Sequence, residues 1–302
     1  MEPIDFDGDA LDGRHFLLLD PLRAEGGVAQ SAWQSLPLRA LAPPGFGAQK
    51  SQLPYLLAWQ DLNDGQRSLA LRLLTDCDEA TAASMCVALL LADVEPVYVR
   101  VHLRQLLAPH FPGGGRGVFR FYDPVVFMHL GWMLDAAQQS VLFGPVSAWA
   151  FPWNASWFMQ KTPSQGSHHV RFAPGAAVWH RIGRIGTLYA VLESEPVWRA
   201  DPVLYGPQIE PWLVKAETYG LDERDDVVTF TRHGMLIHPK FDTHPKVISM
   251  LQQCVGNPTR YRRLTSMWSD ADWNAVVRDL DRSAHAKQGA PTNVGHAIQG
   301  AS

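Results

Sequence analysis

The sequence predicts an α/β (α+β) N-terminal lobe, with a central mixed sheet flanked by helices, followed by a smaller all-helical C-terminal lobe. Three observations carry this reading. The run "FLLL" (Phe16–Leu19) has the unbroken apolar character of a strand covered on both faces. "VFRFY" (Val118–Tyr122) alternates as a half-buried strand does. After about Asp201 the chain changes to short helical stripes, several opening on a capping residue.

Taken in order, residues 1–13 form an acidic arm, and "HFLLLDP" (His15–Pro21) is a strand ended by a turn. "LPYLLAWQ" (Leu53–Gln60) is a second apolar segment behind the Pro/Gly-rich "APPGFGAQK". "DEATAASMCVALLLA" (Asp78–Ala92) places Ala82, Met85, Cys86, Leu89 and Leu90 at helical spacing behind Asp78, and predicts a helix. "VEPVYVRVHLRQLLAPHF" has strand propensity, but Val99, His102, Leu103, Leu106 and Leu107 form a helical stripe opening at Pro96 and stopped by Pro109. After the "VFRFY" strand, Asp123 fits an N-cap and Pro124 the first helical position of a helix that runs to "FGP", Phe143–Pro145. "SAWAFPWNASWF" and "GAAVWHRIGRIGTLYAVLESEPVWR" read as strands and loops, with "TLYAVLE" the clearest strand. The α/β domain thus spans 14–203 and the helical lobe 204–283, with Asp222, Thr243 and Ser269 as caps. The stretch 284–302 has little to bury and reads as disordered.

Composition narrows the function. A net charge of −4 offers no basic field for a phosphate backbone, so nucleic acid is disfavoured as a partner. Three cysteines with no CxxC pair fit neither a disulfide framework nor a zinc site, and favour a reducing compartment. The acidic N-terminus is unlike an export signal and no run approaches a membrane span, so the expectation is a cytoplasmic protein without a membrane partner. Eleven tryptophans, five of them between Trp132 and Trp179, imply a large aromatic core or a surface that grips another chain.

The chemical motifs are weak. Asp5, Asp7 and Asp9 match the first ligand positions of a calcium loop, but Ala10 and Phe16 stand where glycine and glutamate are needed. "GGGRG" (Gly113–Gly117) lacks the lysine and hydroxyl of a phosphate loop and precedes no helix. His233, His238 and His244 match no zinc spacing, and His168 and His169 have no acidic or cysteine neighbour, so neither a metal nor a cofactor is expected. Asp123 stands where an α/β enzyme could place a nucleophile or base, with His102 or Arg120 as its helper, in a small hydrolase or phosphotransfer enzyme. Capping is favoured, because Pro124 fixes that carboxylate to the helix start. Trp149, Trp153 and Trp157, three large aromatics in nine residues, are candidates for part of a partner interface, against an aromatic core over the sheet edge as the alternative.

Together "LLLDP", "LPYLL", "HLRQLL" (His102, Leu103, Arg104), "FRFYDPVVF" (Arg120, Phe121, Tyr122, Asp123, Pro124) and "LFGPV" (Phe143, Gly144, Pro145) form an ordered series. It resembles the adaptor-chaperone family of type VI secretion, the Tap/TEC proteins, over residues 14–150. "WLVKAETYGL", "FTRHGMLIHPKFDTHP" and "DADWNAVV" resemble that family's helical second lobe. The resemblance implies a non-enzymatic protein that binds a secreted effector toxin and hands it to a trimeric spike protein, without being secreted itself. It also implies scaffold roles for the RFYDP residues, with Arg120 and Tyr122 as candidate contacts.

Overall fold

The computed structural model describes residues 1–5, 8–23, 35–75, 85–115, 117–154, 156–163, 170–257 and 260–288. The chain divides into two units, Met1–Ile185 and Gly186–Ser302.

The first unit is built on a seven-stranded sheet: β1 (Glu2–Ile4), β2 (His15–Leu19), β3 (Arg39–Ala40), β4 (Tyr55–Ala58), β5 (Cys86–Leu91), β6 (Ala148–Trp153) and β7 (Ser156–Lys161). Their order is β1-β7-β6-β5-β2-β4-β3, and every pairing is antiparallel, where the sequence had pointed to a mixed sheet. The α+β class holds. β2 lies between β4 and β5, and both its faces are covered. Phe16 and Leu18 join one hydrophobic layer, Leu17 and Leu19 the other. This is why the strand has no polar face.

Helix α1 (Asp64–Thr75) covers one face through Ala70 and Leu74. The opposite face carries α2 (Pro96–Leu107), α3 (Pro124–Met133), α4 (Ala136–Phe143) and α5 (Ala176–Gly183). α2 opens at Pro96 as expected. The segment predicted as one helix to Phe143 is two, because Asp135 starts α4 with a reciprocal capping box to Gln138.

Several expectations are corrected. Cys86–Leu91 is a strand in the middle of the sheet, buried along almost its whole length, where a helix was expected; Asp78–Ser84 of that segment lie outside the described residues. "VFRFY" is no strand: Phe119 N–H donates to the Leu107 carbonyl at 2.9 Å, and Arg120–Asp123 closes as a turn. Within the acidic arm Glu2–Ile4 pairs with β7, and the exposed Asp12 carboxylate is held below the ordinary range by the Arg14 side chain. "TLYAVLE" belongs to helix α6 (Ile185–Glu193), and α7 (Pro196–Ala200) follows it.

The second unit is helical: α8 (Pro202–Thr218), α9 (Arg224–Leu236), α10 (Pro245–Cys254), α11 (Tyr261–Thr265) and α12 (Asp270–Gln288). Phe230 and Phe241 are fully buried, their rings 5.1 Å apart. Asp226, 2% exposed, accepts hydrogen bonds from the Tyr261 and Arg262 amides, so one helix caps the start of another. Ser269 caps α12 in exchange with Asp272, while His244 rather than Thr243 caps α10 and Glu223 rather than Asp222 precedes α9. Residues 284–288 continue α12; the remainder of the tail, 289–302, lies outside the described residues.

Candidate functional site

Asp123 takes its place from the turn that ends at α3. Its Oδ1 accepts from the Val125 amide at 3.1 Å, and Pro124 fills the first helical position, which has no amide to lose. The same Oδ1 also accepts from Arg23 Nη2 at 2.9 Å, and Oδ2 faces Arg120 Nη2 at 3.5 Å. Arg120 in turn donates to Oδ2 of Asp20 at 2.7 Å. Asp20 is fully buried, and its other oxygen accepts from the Leu22 amide at 3.0 Å. Two carboxylates and two guanidinium groups therefore alternate in a chain that ties the end of β2 to the start of α3.

Tyr122 completes the joint. Its ring lies 5.3 Å from the Arg120 guanidinium, in cation–π range, and is 1% exposed. Burial first, and then the Asp20 charge, push its phenol well above the ordinary tyrosine range. Phe121 is fully buried against Trp149. Tyr122 is thus no surface contact; Arg120 keeps part of its side chain open.

The HLR and FGP motifs meet each other. His102 Nε2 lies 2.9 Å from the Leu142 carbonyl at the end of α4. Gly144 has φ +54°, and a Cβ there would overlap the His102 ring, with Nδ1 only 2.6 Å away. Glycine is required on both counts. Leu103 is fully buried and Arg104 Nε donates to the Ala42 carbonyl at 3.0 Å; Phe143 is fully buried and Pro145 follows in the turn.

The tryptophan candidates are core. Trp149 is 1% exposed and stacks on Phe127 at 4.7 Å; Trp157 is 8% exposed and lies in the layer on the other side of the sheet. Trp153 is half-buried against the first layer. Alternating strand geometry disposes of three large rings in nine residues by sending them to both faces. The interface expected from this stretch is therefore withdrawn for Trp149 and Trp157.

Open apolar surface lies elsewhere in the unit, on α2, where the sequence reading had placed none. Val97, Tyr98 and Val101 are 55%, 63% and 44% exposed, at the spacing of one helix face. Next to Val101 opens a groove of about 480 Å3, walled by Pro43, Pro44, Leu106, Pro109 and Phe172 and also lined by His102 and Arg104. The signal was present in "VYVRV", whose strand-like excess over the helical stripe is this second apolar face.

Among the described residues no three metal-ligating side chains cluster, and no helix is long and apolar enough to cross a membrane. His168 and His169 lie outside the described residues. No curated protein and no solved structure matches the chain. Residues 15–141, from the start of β2 into α4 and so including Asp20, His102, Arg120 and Asp123, match the family model described as a domain of unknown function (DUF4123).

Proposed function

We infer that the protein is a non-catalytic adaptor that binds a type VI secretion effector in the cytoplasm and loads it onto the spike protein, leaving before export. The match of residues 15–141 to DUF4123 supports this, together with the resemblance carried by HLR, RFYDP and FGP. The single observation that carries it is the open apolar face of α2, Val97, Tyr98 and Val101, beside a groove. Exposed apolar residues grouped on one helix face are the kind of surface that a protein partner covers.

The bivalent mechanism is simple. One surface holds a segment of the effector and shields its apolar side chains, and another recognises the spike, so the adaptor raises the local concentration of each partner for the other. Release before export calls for an interface of moderate area with a polar rim rather than an obligate one.

The test is co-purification of the tagged full chain with the spike and effector candidates encoded beside its gene, against Tyr98→Glu and Val101→Asp variants. Retention of both partners by the wild type, with one lost in the variants, is the expected outcome. A folded wild type that retains neither partner overturns the adaptor reading.

A further inference from the structure

The groove beside α2 has a one-sided polar lining. Arg104, Arg171, His102 and His110 line it, and among the described residues no aspartate or glutamate does. The adjoining hollow of about 680 Å3, which shares Pro44, Ala108, Pro109 and His110, has no acidic lining residue among the described residues either. This runs against the chain as a whole, which carries a net charge of −4.

Several arginines of the fold are matched by acids: Arg23 by Asp123, Arg120 by Asp20, Arg232 by Glu195. Arg104 is held differently. Its Nε is spent on the Ala42 carbonyl, which fixes the guanidinium plane, and among the described residues no carboxylate lies within 4 Å of it. Arg171, on the facing segment, is exposed. A held guanidinium on a partly apolar wall is preorganised for a carboxylate, since little rotamer freedom remains to be lost and the surroundings screen poorly. Val101, Pro109 and Phe172 are apolar members of the same lining. The groove's volume lies in the usual range for ligand clefts, about 300–1,000 Å3.

We propose that this groove takes an extended peptide segment that is both acidic and apolar, its carboxylates on Arg104 and Arg171 and its apolar side chains against Val101, Pro109 and Phe172. That the segment belongs to a delivered partner rests on the adaptor reading; the chemistry of the segment rests on the groove alone. Residues 289–302 contain no aspartate or glutamate and so lack the side chains this lining would select. The chain's own acidic arm is held at one end by Glu2–Ile4 on β7 and at the other runs directly into β2 at His15.

The test selects a phage-displayed library of random short peptides on the full chain, and measures the winners by fluorescence anisotropy. Sequences rich in Asp or Glu with Leu, Val or aromatic residues are expected to be enriched. Their affinity should fall at least ~tenfold on replacing their acids by amides, and at least ~tenfold in Arg171→Glu, which is exposed and leaves the thermal transition in place. Arg104→Gln provides a second variant with the same expected direction. Enrichment without acids, no enrichment, indifference to Arg171→Glu, tighter binding of an oligonucleotide than of any peptide, or dimerisation through the groove overturns the proposal. The two readings fail separately. Partners retained equally by wild type and Arg171→Glu remove the groove and leave the adaptor; acidic peptides bound through Arg171 by a chain that retains neither partner do the reverse.

Discussion

Asp20 and Arg120, a hundred residues apart in the chain, are joined by a hydrogen bond of 2.7 Å, and the carboxylate at that contact has no exposure to solvent. The RFYDP motif is therefore half of a device whose other half is the "LLLDP" motif. Removing Arg120 leaves the buried Asp20 carboxyl, among the described residues, with the Leu22 amide as its side-chain donor. Arg120→Ala should cost about 2–4 kcal/mol, discounted from a fully buried pair because the guanidinium is partly open. Urea denaturation of Arg120→Ala, Asp20→Asn and the double variant would check it. The double variant should lose less than the two singles combined, and strict additivity would mean that the contact does not couple them.

Asp123 has a milder part. Asp123→Ala removes a helix cap, worth on the order of 1 kcal/mol, and frees Arg23. Partner retention should be unchanged at a temperature where the variant is folded. Asp123→Asn separates this account from a catalytic one, because an enzyme relying on that carboxylate would lose turnover while keeping its melting temperature.

Gly144 permits no side chain. Gly144→Ala should destabilise by roughly 2 kcal/mol or more, through a backbone region disfavoured for alanine and through overlap with His102. A second change, His102→Ala, would relieve the overlap but not the backbone strain, so it should restore part of the loss in a thermal melt. No restoration would mean that the ring is not what the new methyl meets.

Acid should loosen both units. Burial pulls His129 down to about 4, and burial, with help from Arg232, does the same to His233. Their folded values lie below the ordinary 6.5, so between about pH 6.5 and 4 the unfolded chain binds protons that the folded chain refuses. Stability is then fully present above pH 6.5 and lost as pH falls toward 4, by about 3 kcal/mol for the fully buried His129. Melting temperatures taken across that window should fall, and His129→Phe should flatten part of the slope. A melting temperature independent of pH between 7 and 5 would refute the assignment.

How much of this was legible in the sequence depended on whether the signal was local. The Asp123–Pro124 cap, the Pro96 helix start and the β2 strand could be read, because each is fixed by residues next to one another. The ion-pair chain could not, because nothing in "LLLDP" says that Asp20 will meet Arg120. Cys86–Leu91 was misread as a helix since a segment covered on both faces has no period to reveal it. Phe119 and Phe121 alternated like strand residues but had no neighbouring strand to pair with, and both point into aromatic packing around Trp149 and Trp179. The α2 surface was hidden for the opposite reason: its outward apolar residues were absorbed into the argument over strand or helix.

The first strand of the sequence lies at one edge of the sheet, with Glu2 opposite Met159 and Ile4 opposite Trp157. The partners of β2, β4 and β5, precede β6 and β7 in the chain, but β1 has no place to go until β7, the last strand, has been made. On the ribosome its partner emerges only after most of the first unit, and β7 keeps a bare flank in the interval. Without β1 the outer edge of β7 would be open to edge-to-edge pairing with another chain, and three residues, Glu2–Ile4, are what covers it.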